Sequence, residues 1–278
     1  MKKLVKAIYD FIPFKKQIFT ALKFFWKPKK SVFKHLHFKD VITVPVTDSK
    51  NFKVNHFGLC IENEIFWQGL TNGWEKESLK LWIKLCETSE TIIDIGANTG
   101  IYSLVAKAVN PSSKVYSFEP HPYFFSLFKK NILLNNYDIH AYRKAISNSN
   151  GVVEIDDYST NNEIIKAEAM TLDVFIKQSN IKAIDLIKID TELHEPKVLE
   201  GFSTYLKEFR PTLLIEIIRE DIAQKVNEYI KGLGYLNYNI DEKGSIRQTD
   251  RIEVSDHFNY LLCNAEIAAK IGLPVKKI

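Results

Sequence analysis

One junction constrains this chain more than any other: the apolar run TIIDI ends in the loop G-A-N-T-G, residues 96 to 100, and a helical pattern, IYSLVAKAV, starts directly after it. A strand that turns through glycines into a helix needs a second strand beside it, and the chain supplies several. KVYSFEP reads as a strand, YFFSLFKKNILLNN as a helix, and IHAYRKAIS and IDLIKID as strands. HEPKVLEGFSTYLKEF is helical, PTLLIEII a strand, AQKVNEYIKGLG a helix, and YLNYNI and HFNYLLC close the series as strands. Nearly continuous apolar strands alternating with helices predict a doubly wound α/β domain with a mostly parallel sheet covered on both faces. The last two strands lack a helix between them, so they predict an antiparallel edge hairpin joined by the polar stretch DEKGSIRQTDR. At 45% hydrophobic and 26% charged, 278 residues are enough for one large core, and a disordered or disulfide-stapled chain is excluded.

The loop has its own chemistry. Gly96 and Gly100 let the backbone turn tightly, and the helix that follows presents free N–H groups. Glu119 lies at the end of the next strand, where a carboxylate accepts hydrogen bonds from ribose hydroxyls. A dinucleotide loop needs G-x-G-x-x-G and a triphosphate loop G-K-[ST]; neither is here. Asp94 at the strand end would repel a pyrophosphate but suits the ammonium of S-adenosylmethionine, which carries no phosphate. Asn98, Thr99 and Tyr102 belong to the same loop and first helical turn, Ser147 falls where an adenine would lie, and Glu75 precedes the first motif on the methionine side. Its neighbour Trp74 reads either as a cover for that end or as a core residue of the helix WEKESLKLWIKLCE, whose stripe is Leu79, Trp82, Ile83 and Cys86.

The ordered set IIDIGANTGIYSL, VYSFEP, NILLNN, KAISNSNG, TLD, DLIKIDTELHEPKVLEGF and RPTLLIEI, with GWEKE upstream, resembles the FkbM-type methyltransferases over residues 72 to 218. The resemblance implies a class I, Rossmann-like methyltransferase fold and methyl transfer from S-adenosylmethionine, typically to hydroxyls of sugars, lipid-linked glycans or natural products. One departure stands out. The family's D-V-E-G-x-E reads Asp190-Thr191-Glu192-Leu193-His194-Glu195, so Leu193 replaces a glycine.

The implied strand order sets the Asp94 strand beside the Asp190 strand, at the switch point where ligands bind in open α/β sheets. Asp190 is therefore the first candidate for general base or acceptor orienter, with Glu192 and His194 as helpers and Glu216 at the end of the next strand. Plainer readings exist for each: a helix cap for Asp190, a solvated loop charge for Glu192, a surface imidazole for His194. A divalent cation on Asp190, Glu192 and Glu216 fits hard-carboxylate chemistry, but nothing in the pattern requires a metal. Two other function classes stay open. A nucleic-acid amino-methyltransferase is disfavoured because D-T-E-L stands where an Asp/Asn-Pro-Pro-aromatic loop belongs. A non-catalytic interaction module is disfavoured by the intact Asp94, Gly96, Gly100, Glu119 and Asp190.

The net charge of +4 conceals two unlike parts. Residues 1 to 40 hold eleven lysines against Asp10 and Asp40, a charge of +9, and the rest of the chain carries −5. The basic segment is aromatic and is punctuated by Pro13 and Pro28 into two short amphipathic helices, with Leu4, Ile8 and Phe11 on one face of the first and Ile18, Leu22, Phe25 and Trp26 on one face of the second. It reads either as an interfacial membrane anchor or as an arm packed on the body or on a second subunit, which leaves a homo-oligomer open. Lysines interrupt it too often for a signal peptide, and no nucleic-acid partner is expected because the basic residues do not continue into the body. Residues 41 to 71 predict two or three antiparallel strands in VITVPV, NFKVNHF and EIFWQG. The expected layout is thus a helical arm at 1–40, a β extension at 41–71, the methyltransferase domain at 72–265 and a tail at 266–278. Cys60, Cys86 and Cys263 form no C-x-x-C pair, which suggests a reducing compartment. The expected location is cytoplasmic, at the inner membrane face if the arm is an anchor.

Overall fold

The computed structural model describes residue 9, residues 12–157 and residues 163–276. The chain divides into two compact units, Met1–Trp74 and Glu75–Ile278.

The larger unit is built on an eight-stranded sheet. Its parallel part comprises β5 (Ile139–Tyr142), β4 (Lys114–Phe118), β3 (Thr91–Ile95), β9 (Leu186–Ile189) and β10 (Thr212–Glu216), adjacent in that order. The chain starts at β3, moves outward to β5, then crosses back to β9, so the switch point lies between β3 and β9. Beyond β10 the sheet turns antiparallel through β13 (Asn259–Cys263), β11 (Leu236–Asp241) and the edge strand β12 (Ser245–Thr249). The strand alternation decides what each face carries. Ile93, Ile95, Ile187, Ile189, Leu213 and Ile215 join one core cluster with Val198, Leu199 and Phe202. The residues in between, Asp94, Lys188 and Leu214, are side by side in register and project to the opposite face. That face meets the helix Ile101–Val109, whose buried Tyr102 accepts, through its backbone carbonyl, the indole N–H of Trp82 from the helix Lys76–Cys86. Leu79, Trp82, Ile83 and Cys86 are all buried, as their spacing predicts.

The sheet departs from the sequence reading at three places. IHAYRKAIS is not one strand: it breaks after Tyr142, and β6 (Ala145–Ile146) joins β8 (Glu163–Met170) and β7 (Gly151–Asp157) in a separate three-stranded sheet. The last two predicted strands pair antiparallel as expected, β11 with β13, but the polar connection between them is not all loop: SIRQT forms β12 on the outer edge of β11. Ala265–Lys270, which crosses into the tail expected from residue 266, is a helix capped by the Asn264 side chain.

In the smaller unit, β1 (Asp40–Pro45) and β2 (Asn51–His56) form an antiparallel hairpin. The expected third strand, EIFWQG, is helical: Cys60–Gln68 is one helix, with Ile61 and Ile65 four residues apart and Gly69 at its C-terminus with φ 93°. Six residues of mixed polarity carry too little periodicity to separate the two states. An aromatic core holds the unit together. Phe19 of the helix Lys15–Phe25 meets Phe38 and Trp67, Phe33 stacks on Trp67, and Phe38 stacks on His56 with ring centroids 4.2 Å apart. The predicted stripe at Leu4, Ile8 and Phe11 lies outside the described residues.

Candidate active site

The loop after β3 is held by the neighbouring strand ends. Gly96 and Ala97 donate their N–H groups to the Phe118 carbonyl, and Asp190 donates its N–H to the Ile95 carbonyl. Gly96 has φ 82°, and a Cβ there would sit 1.7 Å from the Asp190 carbonyl oxygen, so glycine is required for the two strand ends to approach. Glu119 closes the loop from the other side. One carboxylate oxygen accepts from the Asn98 N–H at 2.7 Å and the other from the His121 N–H at 2.8 Å. Burial pushes its pKa up to about 7, although both amides pull the other way. A carboxylate has about four acceptor sites, so two remain for hydroxyl donors.

The centre of the site is a residue that sequence reasoning passed over. Lys188, buried in β9, places its ammonium 2.6 Å from Asp190 Oδ2 and 4.5 Å from the centroid of the Tyr102 ring. Burial works against this charge, but Asp190, Glu75 and Asp94 together outweigh it and hold the lysine above its ordinary pKa. Glu75 reaches the cluster from the residue before the Lys76–Cys86 helix, in left-handed backbone at φ 44°, and accepts the Tyr102 hydroxyl at 2.5 Å. Its carboxyl is pushed up to about 7 by burial, against the pull of Lys188. Glu216 is pushed further, to about 9, by burial and then by the charge of Asp190, so it keeps its proton at neutral pH. The signal for Lys188 was present in the sequence: a lysine two residues before Asp190 in an otherwise apolar strand is a buried charge, and a buried charge needs partners.

Several buried polar atoms here have no hydrogen-bond partner among the described residues. Asp94 accepts the Ser103 hydroxyl on Oδ2, but its buried Oδ1 has no hydrogen bond, nor have Thr99 Oγ1 and Glu216 Oε2. Buried polar atoms are normally satisfied. The residues therefore fit S-adenosylmethionine: Asp94 for its ammonium, Glu119 for its ribose hydroxyls, Thr99 and Asn98 at the loop.

The remaining predicted residues separate into two groups. Ser147 and His194 are brought together, Oγ to Nε2 at 2.9 Å, next to Gly201, where a Cβ would meet the Ser147 carbonyl oxygen at 2.0 Å. Burial and Lys197 lower the His194 pKa to about 4, which makes it a neutral imidazole. Glu192 lies on the exposed loop with φ 52°. Glu195, the last residue of that motif, to which the sequence reading assigns no role, folds this loop by accepting both the N–H and the hydroxyl of Thr191 at 2.9 Å. Among the described residues, no group of three His, Cys, Asp or Glu side chains is arranged to hold a metal ion.

The sequence profile of the Methyltransferase FkbM domain matches residues 94–236, just over half of the chain. The chain belongs to the FkbM methyltransferase family. Among relatives of the family, Methyltransferase 1 of Beauveria bassiana (strain ARSEF 2860) is 25% identical over 150 residues, which cover 51% of this chain and 57% of that protein. The hexuronic acid methyltransferase AglP of Haloferax volcanii is 21% identical over 142 residues, 48% of this chain and 58% of that one. The chain thus spans less than two thirds of the length of these relatives. A crystal structure of a methyltransferase FkbM from Methylobacillus flagellatus KT aligns with a TM-score of 0.44 at 16% identity, over 63% of this chain and 43% of that one.

Against the family motif, Leu193 gains a physical meaning. It stands at the glycine position and adopts φ 75°, a left-handed conformation that costs a β-carbon-bearing residue about 1–3 kcal/mol. Leu193→Gly relieves that strain and loses some of the gain to the greater entropy of the unfolded chain. The expected result is a net stabilisation of about 1 kcal/mol in urea unfolding; a loss of stability instead would mean that the half-exposed leucine side chain anchors the loop.

Proposed function

We propose that this chain transfers a methyl group from S-adenosylmethionine to a hydroxyl of a sugar, glycan or related small molecule. The observation that carries the reading is the ion pair of buried Lys188 with the partly exposed Asp190, across the switch point from the half-satisfied Asp94 and near Glu216, whose pKa burial raises. When bound, S-adenosylmethionine supplies an electrophilic methyl carbon on a sulfonium. Asp94 takes the cofactor's ammonium and Glu119 its ribose hydroxyls, while Glu75, Asn98, Thr99, Tyr102 and Ser147 frame the same crevice. Asp190 orients the acceptor hydroxyl and takes its proton; Lys188 fixes the carboxylate in place and balances its charge. Glu216, neutral and with an unpartnered oxygen, donates a hydrogen bond to a second acceptor oxygen, as a polyhydroxylated substrate offers. His194 and Glu192 line the loop that borders this space. Hexuronic acids, the substrate class named for the Haloferax relative, are the first acceptors to test.

Calorimetric titration with S-adenosylmethionine checks the cofactor half. Glu119→Ala removes the acceptor of two loop amides and of the ribose hydroxyls, and is expected to weaken binding about 10- to 100-fold, as lost hydrogen bonds to a charged group do. Unchanged affinity in that variant, or no binding by the unaltered protein, would overturn the assignment.

A further inference from the structure

The helix Lys15–Phe25 turns Phe19 into the aromatic core of its unit and leaves its other side uncovered. Phe14, Ile18, Leu22 and Phe25, spaced by four, four and three residues, form one row along that side, and Phe24 and Trp26 extend it at its end. Phe14 is 72%, Phe24 81% and Phe25 93% exposed. An isolated exposed leucine needs no explanation, but a ridge of three open phenyl rings in an ordered helix does.

The charge around the ridge is of one sign. Residues 12 to 39 contain eight lysines and no Asp or Glu. Four of the eight are used within the unit: Lys15 caps the Tyr9 ring, Lys16 meets Asp40 at 3.5 Å, Lys30 meets Glu64 at 2.7 Å, and Lys23 donates to the Phe66 carbonyl and caps the Phe66 ring. Lys27, Lys29, Lys34 and Lys39 are exposed and have no acidic partner among the described residues. Two clefts flank the helix. One of about 560 Å³ is lined by Lys15, Lys16 and Lys39, and one of about 330 Å³ by Lys23, Lys27 and Trp26.

We infer that this face of the smaller unit binds peripherally to an anionic lipid bilayer, with the phenyl ridge inserted at the acyl boundary and the lysines on the headgroup phosphates. Each half of the pattern meets one half of the bilayer interface. Aromatic rings are favoured at the boundary between acyl chains and headgroups, and unpaired lysines beside them gain from the negative surface potential. A nucleic acid would use the lysines and leave three phenylalanines in water. A second copy of the chain would set the four exposed lysines without acidic partners against the same four of its neighbour. No helix among the described residues is long and apolar enough to cross a membrane, so this contact is interfacial.

The test is co-sedimentation of the full chain with vesicles of phosphatidylcholine alone and of phosphatidylcholine mixed with phosphatidylglycerol. The unaltered protein is expected to partition onto the mixed vesicles and much less onto the neutral ones, with binding falling as salt rises. Phe24→Ser with Phe25→Ser, two exposed positions that do not support the core, is expected to lower partitioning about tenfold or more. Lys27→Gln, Lys29→Gln and Lys34→Gln are expected to lower it about fivefold each, the equivalent of about 1 kcal/mol per lysine at such a surface. Equal binding to both vesicle types overturns the inference, as does binding that survives the phenylalanine changes. A lipid-free dimer dissolved by those changes makes the ridge a protomer interface instead. An oligonucleotide bound through the lysines but indifferent to the phenylalanines transfers the surface to nucleic acid.

Discussion

In the Asp190→Asn protein, kcat for methyl transfer is expected to fall about 10²- to 10⁴-fold, the range of a lost general base, while the chain stays folded. Asparagine keeps the shape of the side chain and an oxygen for the Lys188 ammonium 2.6 Å away, so the change removes a charge and a proton acceptor more than it removes packing. Two readouts separate the roles. Titration with S-adenosylmethionine is expected to change little, because the cofactor's ammonium and ribose are assigned to Asp94 and Glu119. The Asp190→Ala variant, which opens space, is expected to regain part of its rate in the presence of formate, a small exogenous base. A loss of cofactor affinity that matches the loss of rate would move Asp190 from the acceptor to the cofactor. An unchanged kcat would end its proposed role in catalysis.

Much of this arrangement is legible in the chain because the alternating domain couples pattern to position. An apolar run that ends in Asp94-Ile95-Gly96 places its last polar residue at the carboxyl end of a strand, and the crevice follows from the order of the strands. Elements whose identity rests on long-range pairing are harder to see. GVVEIDD and EIIKAEAM form a hairpin with each other, yet neither is an apolar run, because each exposes one face to water. β13 pairs between two strands that precede it, a placement that no local pattern encodes. EIFWQG shows the opposite failure, where a short apolar window fits either period and the surrounding aromatic core chooses the helix. In the site, Asp94, Glu119, Asp190 and Glu216 are legible from their place at strand ends. Lys188 was missed because it lies inside a strand, and its role is created by register: the pairing of β3 with β9 sets it opposite Asp94.

That register makes Lys188→Met the most costly substitution in the site. Among the described residues the lysine is the cation facing Asp190, Asp94 and Glu75; Asp94 is buried, and removing the partner of a buried charge costs about 3–5 kcal/mol because that charge is left without compensation. The loss should depend on pH with a definite sign. Glu75 and Glu216 have folded-state pKa values raised to about 7 and about 9, above the unfolded value of 4.5. A raised carboxyl contributes stability that is complete below its unfolded pKa and is lost as pH rises through the folded one. The stability these two carboxyls contribute should therefore fall as pH rises above about 4.5, most steeply up to about 7 while both hold their protons only in the folded state, then at about half that slope to about 9, where it levels off. Without the lysine, the carboxylates lose the charge that holds their pKa values down. Each value moves higher, protons must be taken up on folding over a wider range of alkaline pH, and the stability of the variant keeps falling to higher pH than that of the parent. Urea unfolding on both sides of the Glu75 value of about 7 measures this directly. The expected outcome is a modest deficit below it and the full loss above it, together with methyl transfer lost at every pH because Asp190 no longer has the partner that orients it. A pH-independent deficit would mean that Lys188 contributes packing alone, and that the carboxylates around it share their protons without its help.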